Sequence, residues 1–90
     1  MRESTIERAL VEAVKKRHGL AFKFNSMGCN GVPDRIVLLP GPRVMFIELK
    51  APGKEMKPLQ VKRKKQIEAL GFKVLCLDDK EKIGEILDGI

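Results

Sequence analysis

Residues 31–50, GVPDRIVLLPGPRVMFIELK, constrain the fold more than any other part of the chain. Two apolar runs flank a PGP turn and read as an antiparallel hairpin. In the first run Ile36 and Leu38 alternate with Val37 and Leu39. In the second, Val44 and Phe46 alternate with Met45, Ile47 and Leu49. Successive strand residues point to opposite faces, so both faces of both strands are apolar. Such a sheet must be covered on both sides, by one helix per face or by helices and a second subunit.

The same hairpin carries charge at its ends: Asp34 before the first strand, and Glu48-Leu49-Lys50 closing the second. Strands disfavour charges, and like charges placed opposite one another repel. With Gly41 at the centre of the turn, Asp34 stands directly across from Glu48 on one face, a separation of about 4.5–5.5 Å between Cβ atoms. Two carboxylates that close invite a divalent cation with oxygen ligands, such as Mg²⁺. Lys50 lies two residues beyond Glu48 and points to the same face.

Around the hairpin, Ile6, Leu10, Ala13, Val14 and Arg17 recur at helical spacing, with Ser4 or Thr5 as N-cap, giving a first helix over about residues 3–18 closed by Gly19. LAFKF is a strand, and NSMGCNGVP is a loop. Pro58 opens a second helix that runs to about residue 70 before Gly71. FKVLCL is a further strand, and Asp79 caps a short last helix. The order is α-β-β-β-α-β-α in a single α/β domain spanning 1–90. A chain of this size buries only about 60–65% of its unfolded surface, so a partner subunit would help. Without Trp or Tyr, the core is expected to be aliphatic, helped by Phe22, Phe24, Phe46 and Phe72; no aromatic platform for stacking single-stranded bases stands out.

A third acid comes from the first helix. Glu3 lies about 50° from the centre of the apolar stripe and Glu7 about 90°. Glu3 is therefore the more inward, in a fraying first turn; Glu7 is better anchored and borders solvent.

The formal charge of +6 is a footprint for a polyanion. It concentrates in Lys54, Lys57, Lys62, Arg63, Lys64, Lys65 and Lys73, against only Glu55 and Glu68 over the same stretch. This segment follows the ELK strand directly and can hold a phosphate backbone beside the acids. Arg63 falls on the apolar side of its helix and is expected to bury its stem. Lys23 faces away from Phe22 and Phe24, toward phosphate or solvent. Cys29 and Cys76 are far apart and lack a CxxC or His companion, which supports neither a zinc site nor, in an intracellular chain, a disulfide. His18, at a helix C-terminus, reads as structural. No apolar run approaches the roughly 20 residues of a membrane span, and the N-terminus is amphipathic and charged rather than a signal peptide. A soluble, cytoplasmic protein is expected.

GVPD, then ELK, then Gln60 opening a helix, with an acid in an N-terminal helix, resembles the VRR-NUC branch of the PD-(D/E)XK nucleases, over nearly the whole chain from Glu3 to about Leu77. The family fold is an α/β sandwich around a central mixed sheet, with the element order given above. The resemblance implies that Asp34 and Glu48 bind Mg²⁺, or Mn²⁺ as a substitute, with the Leu49 carbonyl helping, and that Lys50 acts near the attacking water. It favours Glu3 over Glu7 as the helical acid, and it places Gln60 at a cation-held water or at DNA. Lys23, Lys54, Lys57, Lys62 and Lys65 are the expected DNA contacts. The implied activity is metal-dependent endonucleolytic hydrolysis of DNA with no nucleotide cofactor. Small stand-alone members, in a bacterial cell or phage-infected host, imply a homodimer acting on branched DNA such as a four-way junction. The alternatives are a non-specific or flap-type nuclease within a repair assembly and a non-catalytic DNA-binding module.

Overall fold

The computed structural model describes residues 1–89. Its elements are α1 (Glu3–Lys16), β1 (Leu20–Lys23), β2 (Arg35–Leu39), β3 (Arg43–Leu49), α2 (Pro58–Glu68), β4 (Lys73–Leu77), a 3₁₀ turn at Lys80–Lys82, and α3 (Ile83–Asp88). The sheet order is β1-β2-β3-β4. β1–β2 and β2–β3 are antiparallel, and β4 joins β3 in parallel after the α2 crossover. The expected α/β sandwich with a mixed sheet is therefore present.

The hairpin register is the one that Gly41 at the turn requires: Arg35 pairs with Ile47, Val37 with Met45 and Leu39 with Arg43. Gly41 takes φ +95°, open to glycine at little cost. On the first face Val37, Leu39, Met45, Ile47, Leu49 and Leu77 meet Ile6, Leu10 and Val14 of α1 and Ile83 and Leu87 of α3, forming one buried cluster. The apolar stripe of α1 thus does what its spacing required.

The second face is covered much less. α2 packs beside β4, and Val74 is buried, but no residue of α2 is. Rows across the sheet explain what is left open. Phe22, Ile36, Phe46 and Val74 stand side by side, and Leu20, Leu38 and Val44 form the next row. Phe22 is 52% exposed, Phe72 44% and Leu70 77%. The phenylalanines are therefore not the buried core: Phe24, Phe46 and Phe72 form a line of ring contacts across this face, with centroids 5.5 and 6.0 Å apart.

Three boundaries differ from the sequence reading. Arg2, not Ser4 or Thr5, is the N-cap of α1, and no side chain caps it. The left-handed residue that ends α1 is His18, at φ 63°, rather than Gly19. Gly19 is needed for a different reason: a Cβ there would lie 2.5 Å from the Leu38 carbonyl oxygen, so the chain enters β1 too close to β2 for any side chain. α2 ends at Glu68, with Gly71 at φ +97° completing the stop.

Candidate active site

The site forms where β2 begins and β3 ends. The backbone pairing continues one step past β1 and β2, since the Phe24 N–H donates to the Asp34 carbonyl at 2.8 Å. It also continues past β3 and β4, where the Lys50 N–H donates to the Leu77 carbonyl at 3.0 Å. Extending the register by these steps aligns Phe24, Asp34, Glu48 and Cys76 as the next row on the second face. Asp34 and Glu48 are therefore opposed as the turn geometry demanded, and strand alternation puts Lys50 on their side.

The two acids differ in their surroundings. One oxygen of Asp34, Oδ2, accepts the Leu49 N–H at 2.8 Å, which orients the carboxylate across the end of β3. Glu48 is only 1% exposed, and among the described residues its Oε2 has no hydrogen-bond partner. Burial, hydrogen bonding with Asp34 and the Asp34 charge push the Glu48 carboxyl up to about 8, with Lys50 pulling the other way and Glu3 adding to the rise. A buried carboxyl oxygen left without a partner costs about 1–3 kcal/mol. A divalent cation between Asp34 and Glu48 would satisfy that oxygen and replace the proton.

Among the described residues no three His, Cys, Asp or Glu side chains gather tightly enough to hold an ion alone. Two carboxylates and the Leu49 carbonyl are a partial set, which suits Mg²⁺: it keeps several waters and is completed by substrate phosphate.

Beside the acids opens a cavity of about 270 Å³ lined by Glu3, Glu7, Lys23, Phe24, Asn25, Asp34 and Leu49. Both helical acids reach it, but not as the helix phase suggested. Glu7 is the more covered of the two, because Arg35 Nε donates to its Oε2 at 2.9 Å. Glu3, in the first turn, is exposed. Lys23 shares its face with Arg35 and lines the cavity.

Gln60 is engaged elsewhere. Its Oε1 accepts the Lys57 N–H at 2.8 Å and so caps the start of α2. Arg63 is half-buried as expected, but its head is occupied: Nε donates to the Asn30 carbonyl and Nη1 to Gln66 Oε1. Lys64 lies 3.4 Å from Glu68. Lys54, Lys57, Lys62 and Lys65 are exposed along the approach to α2 and on the helix. The sequence reading missed Arg35, Phe24 and Asn25. Arg35 left a signal, as the one charge at the start of the alternation Arg35, Val37, Leu39 whose apolar members meet α1.

No family model matches the chain. A protein named "Putative nuclease p44", from Acyrthosiphon pisum secondary endosymbiont phage 1, is 44% identical over 81 residues, covering 90% of this chain and 87% of that one. A solved structure described as a VRR_NUC domain superposes with a TM-score of 0.88 at 22% identity, covering 96% of this chain and 94% of that one. The chain belongs to the family of this phage protein, and its fold is that of a VRR_NUC domain.

Proposed function

We propose that the protein is a metal-dependent DNA endonuclease that works as a homodimer on branched DNA. The observation that carries the metal dependence is the buried, partnerless Oε2 of Glu48 opposite Asp34. When bound, Mg²⁺ supplies the positive charge that phosphodiester hydrolysis requires. Asp34 and Glu48 would hold it, Asp34 being oriented by the Leu49 N–H. Lys50, on the same face, orients the attacking water or neutralises charge that develops on the phosphate. Lys54, Lys57, Lys62 and Lys65 bind the phosphate backbone, and Lys23 faces the cavity in which the strand would enter. The name of the phage relative supports nuclease activity.

The dimer reading rests on the second sheet face, where Leu20, Phe22, Val44 and Phe72 are exposed in adjacent rows. A contiguous apolar patch of this kind marks an interface. A two-fold axis through it would pair two acid sites and two basic segments, which suits the symmetry of a four-way junction.

The test is cleavage of a panel of junction, flap, duplex and single-stranded DNAs with Mg²⁺, with Mn²⁺ and in chelator. Junction cleavage that stops in chelator, and is lost in Asp34→Asn and Glu48→Gln while junction binding persists, is the expected result. Equal cleavage of all DNAs by a monomer would move the reading to a non-specific nuclease. Binding without cleavage under every metal would leave a DNA-binding module.

A further inference from the structure

Glu3 and Glu7 lie one turn apart on the same side of α1 and line the same cavity as Asp34. Two acids there are not equivalent, because Arg35 has taken one of them. Its side chain is 13% exposed and makes two bonds in different directions: Nε to Glu7 Oε2 at 2.9 Å, and Nη1 to the Ala21 carbonyl of β1 at 2.8 Å. The guanidinium is a rigid planar fork, so two acceptors held at once fix the relative position of the elements that carry them. Here those elements are β1, β2 and the first half of α1. Arg35 also follows Asp34 directly. Alternation along β2 therefore sends Asp34 to the acid row on one face and Arg35 to the helix on the other.

We infer that Arg35 is a positioning residue for the cation site: by tying Glu7 to the Ala21 carbonyl it fixes the N-terminal turns of α1 and leaves Glu3 as the helical acid free to face the cation. Glu7 is then half of a clamp and not a ligand. Among the described residues Glu3 has no hydrogen-bond or ion-pair partner.

This inference rests on the metal-site reading, and its test separates the two. Mn²⁺ binding is measured by titration calorimetry on the full chain, for wild type, Arg35→Gln, Arg35→Lys, Glu7→Gln and Glu3→Gln. Junction binding is measured in chelator for the same set. Arg35→Gln should weaken Mn²⁺ binding about tenfold, the usual cost of losing a group that orients a metal ligand. The sign is informative, because deleting a positive charge beside a cation site would by itself tighten binding. Arg35→Lys should recover part of the loss by keeping the Glu7 pair without the Ala21 bond. Glu7→Gln should lose at most about threefold, since the amide oxygen still accepts from Arg35, and Glu3→Gln should lose more. Junction binding should stay within about twofold throughout, the basic surface being untouched.

Equal losses in Glu7→Gln and Glu3→Gln would overturn the inference and make Glu7 a ligand. So would Mn²⁺ affinity that is unchanged or tighter in Arg35→Gln, or a parallel loss of Mn²⁺ and junction binding. If Arg35→Gln does not fold, the ratio of Glu7→Gln to Glu3→Gln decides. Wild type that binds no Mn²⁺ would remove the metal-site reading, and the inference with it.

Discussion

Replacing Glu48 by Gln should stabilise the cation-free protein, by an amount that grows as the pH rises. Glu48 is 1% exposed, and burial, then its contact with Asp34, raises its carboxyl from an ordinary 4.5 to about 8. Once unfolded, the same group ionises at its ordinary value. Between those limits the folded protein holds a proton that the unfolded chain gives up, so stability from this group is greatest below about 4.5 and falls as the pH climbs toward about 8. At about 1.4 kcal/mol per pH unit of separation, the full effect is about 5 kcal/mol. That is comparable with the whole stability of a small domain, about 5–15 kcal/mol. Gln keeps the shape, still hydrogen-bonds Asp34 and has no proton to lose, so its profile should be flat over this range. Urea unfolding at intervals from about pH 5 to 9 in chelator reads the difference directly. Adding Mg²⁺ should level the wild-type profile, since a cation takes the place of the proton, and leave Glu48→Gln almost unmoved. Parallel profiles for the two proteins in chelator would refute the reasoning, because Glu48 would then ionise alike in the folded and unfolded chains.

Three further outcomes are expected. Gly31→Ala should cost about 1–3 kcal/mol in urea unfolding, because φ is +84° and a Cβ would lie 2.7 Å from Leu59 Cγ and 3.0 Å from the Leu59 carbonyl oxygen. His18→Gly should raise stability by up to about 1 kcal/mol in the same assay, relieving a left-handed residue at φ 63°; a loss would show that the imidazole makes a compensating contact. In the proposed dimer, Phe22→Glu combined with Phe72→Glu should give a monomer by light scattering while far-ultraviolet circular dichroism is unchanged; a dimer that survives both changes would place the interface elsewhere, and a wild type that is monomeric would remove the dimer reading.

Much of this geometry was legible because it depends on short-range rules. The PGP turn, the alternation on either side and the position of Gly41 fix which residues oppose one another, and Asp34 and Glu48 follow. Pro58, Gly71 and Asp79 mark element ends for reasons of backbone chemistry that act within a few residues. What could not be read depends on three-dimensional neighbours. The helical phase of α1 placed Glu7 toward solvent, but Arg35, 28 residues away, reaches over and covers it. Gly19 looked like a helix stop, whereas its reason is the Leu38 carbonyl on another strand. Phe22 and Phe72 looked like core because they are large and apolar; among the described residues no element arrives to cover them.

The basic helix α2 has no fully buried residue, unlike α1 with Ile6, Leu10 and Val14. It is held instead at a few points: Leu59 against Gly31, Arg63 to the Asn30 carbonyl, and its flank against β4. Local opening costs least where little apolar surface is buried. α2 can therefore lift from the sheet as a unit while the core stays closed, and its amides should exchange with solvent hydrogen faster than those of β3 or α1. The helix that carries Lys62, Arg63, Lys64 and Lys65 is thus also the one able to follow the contour of a bent strand, and each phosphate it captured would slow that exchange.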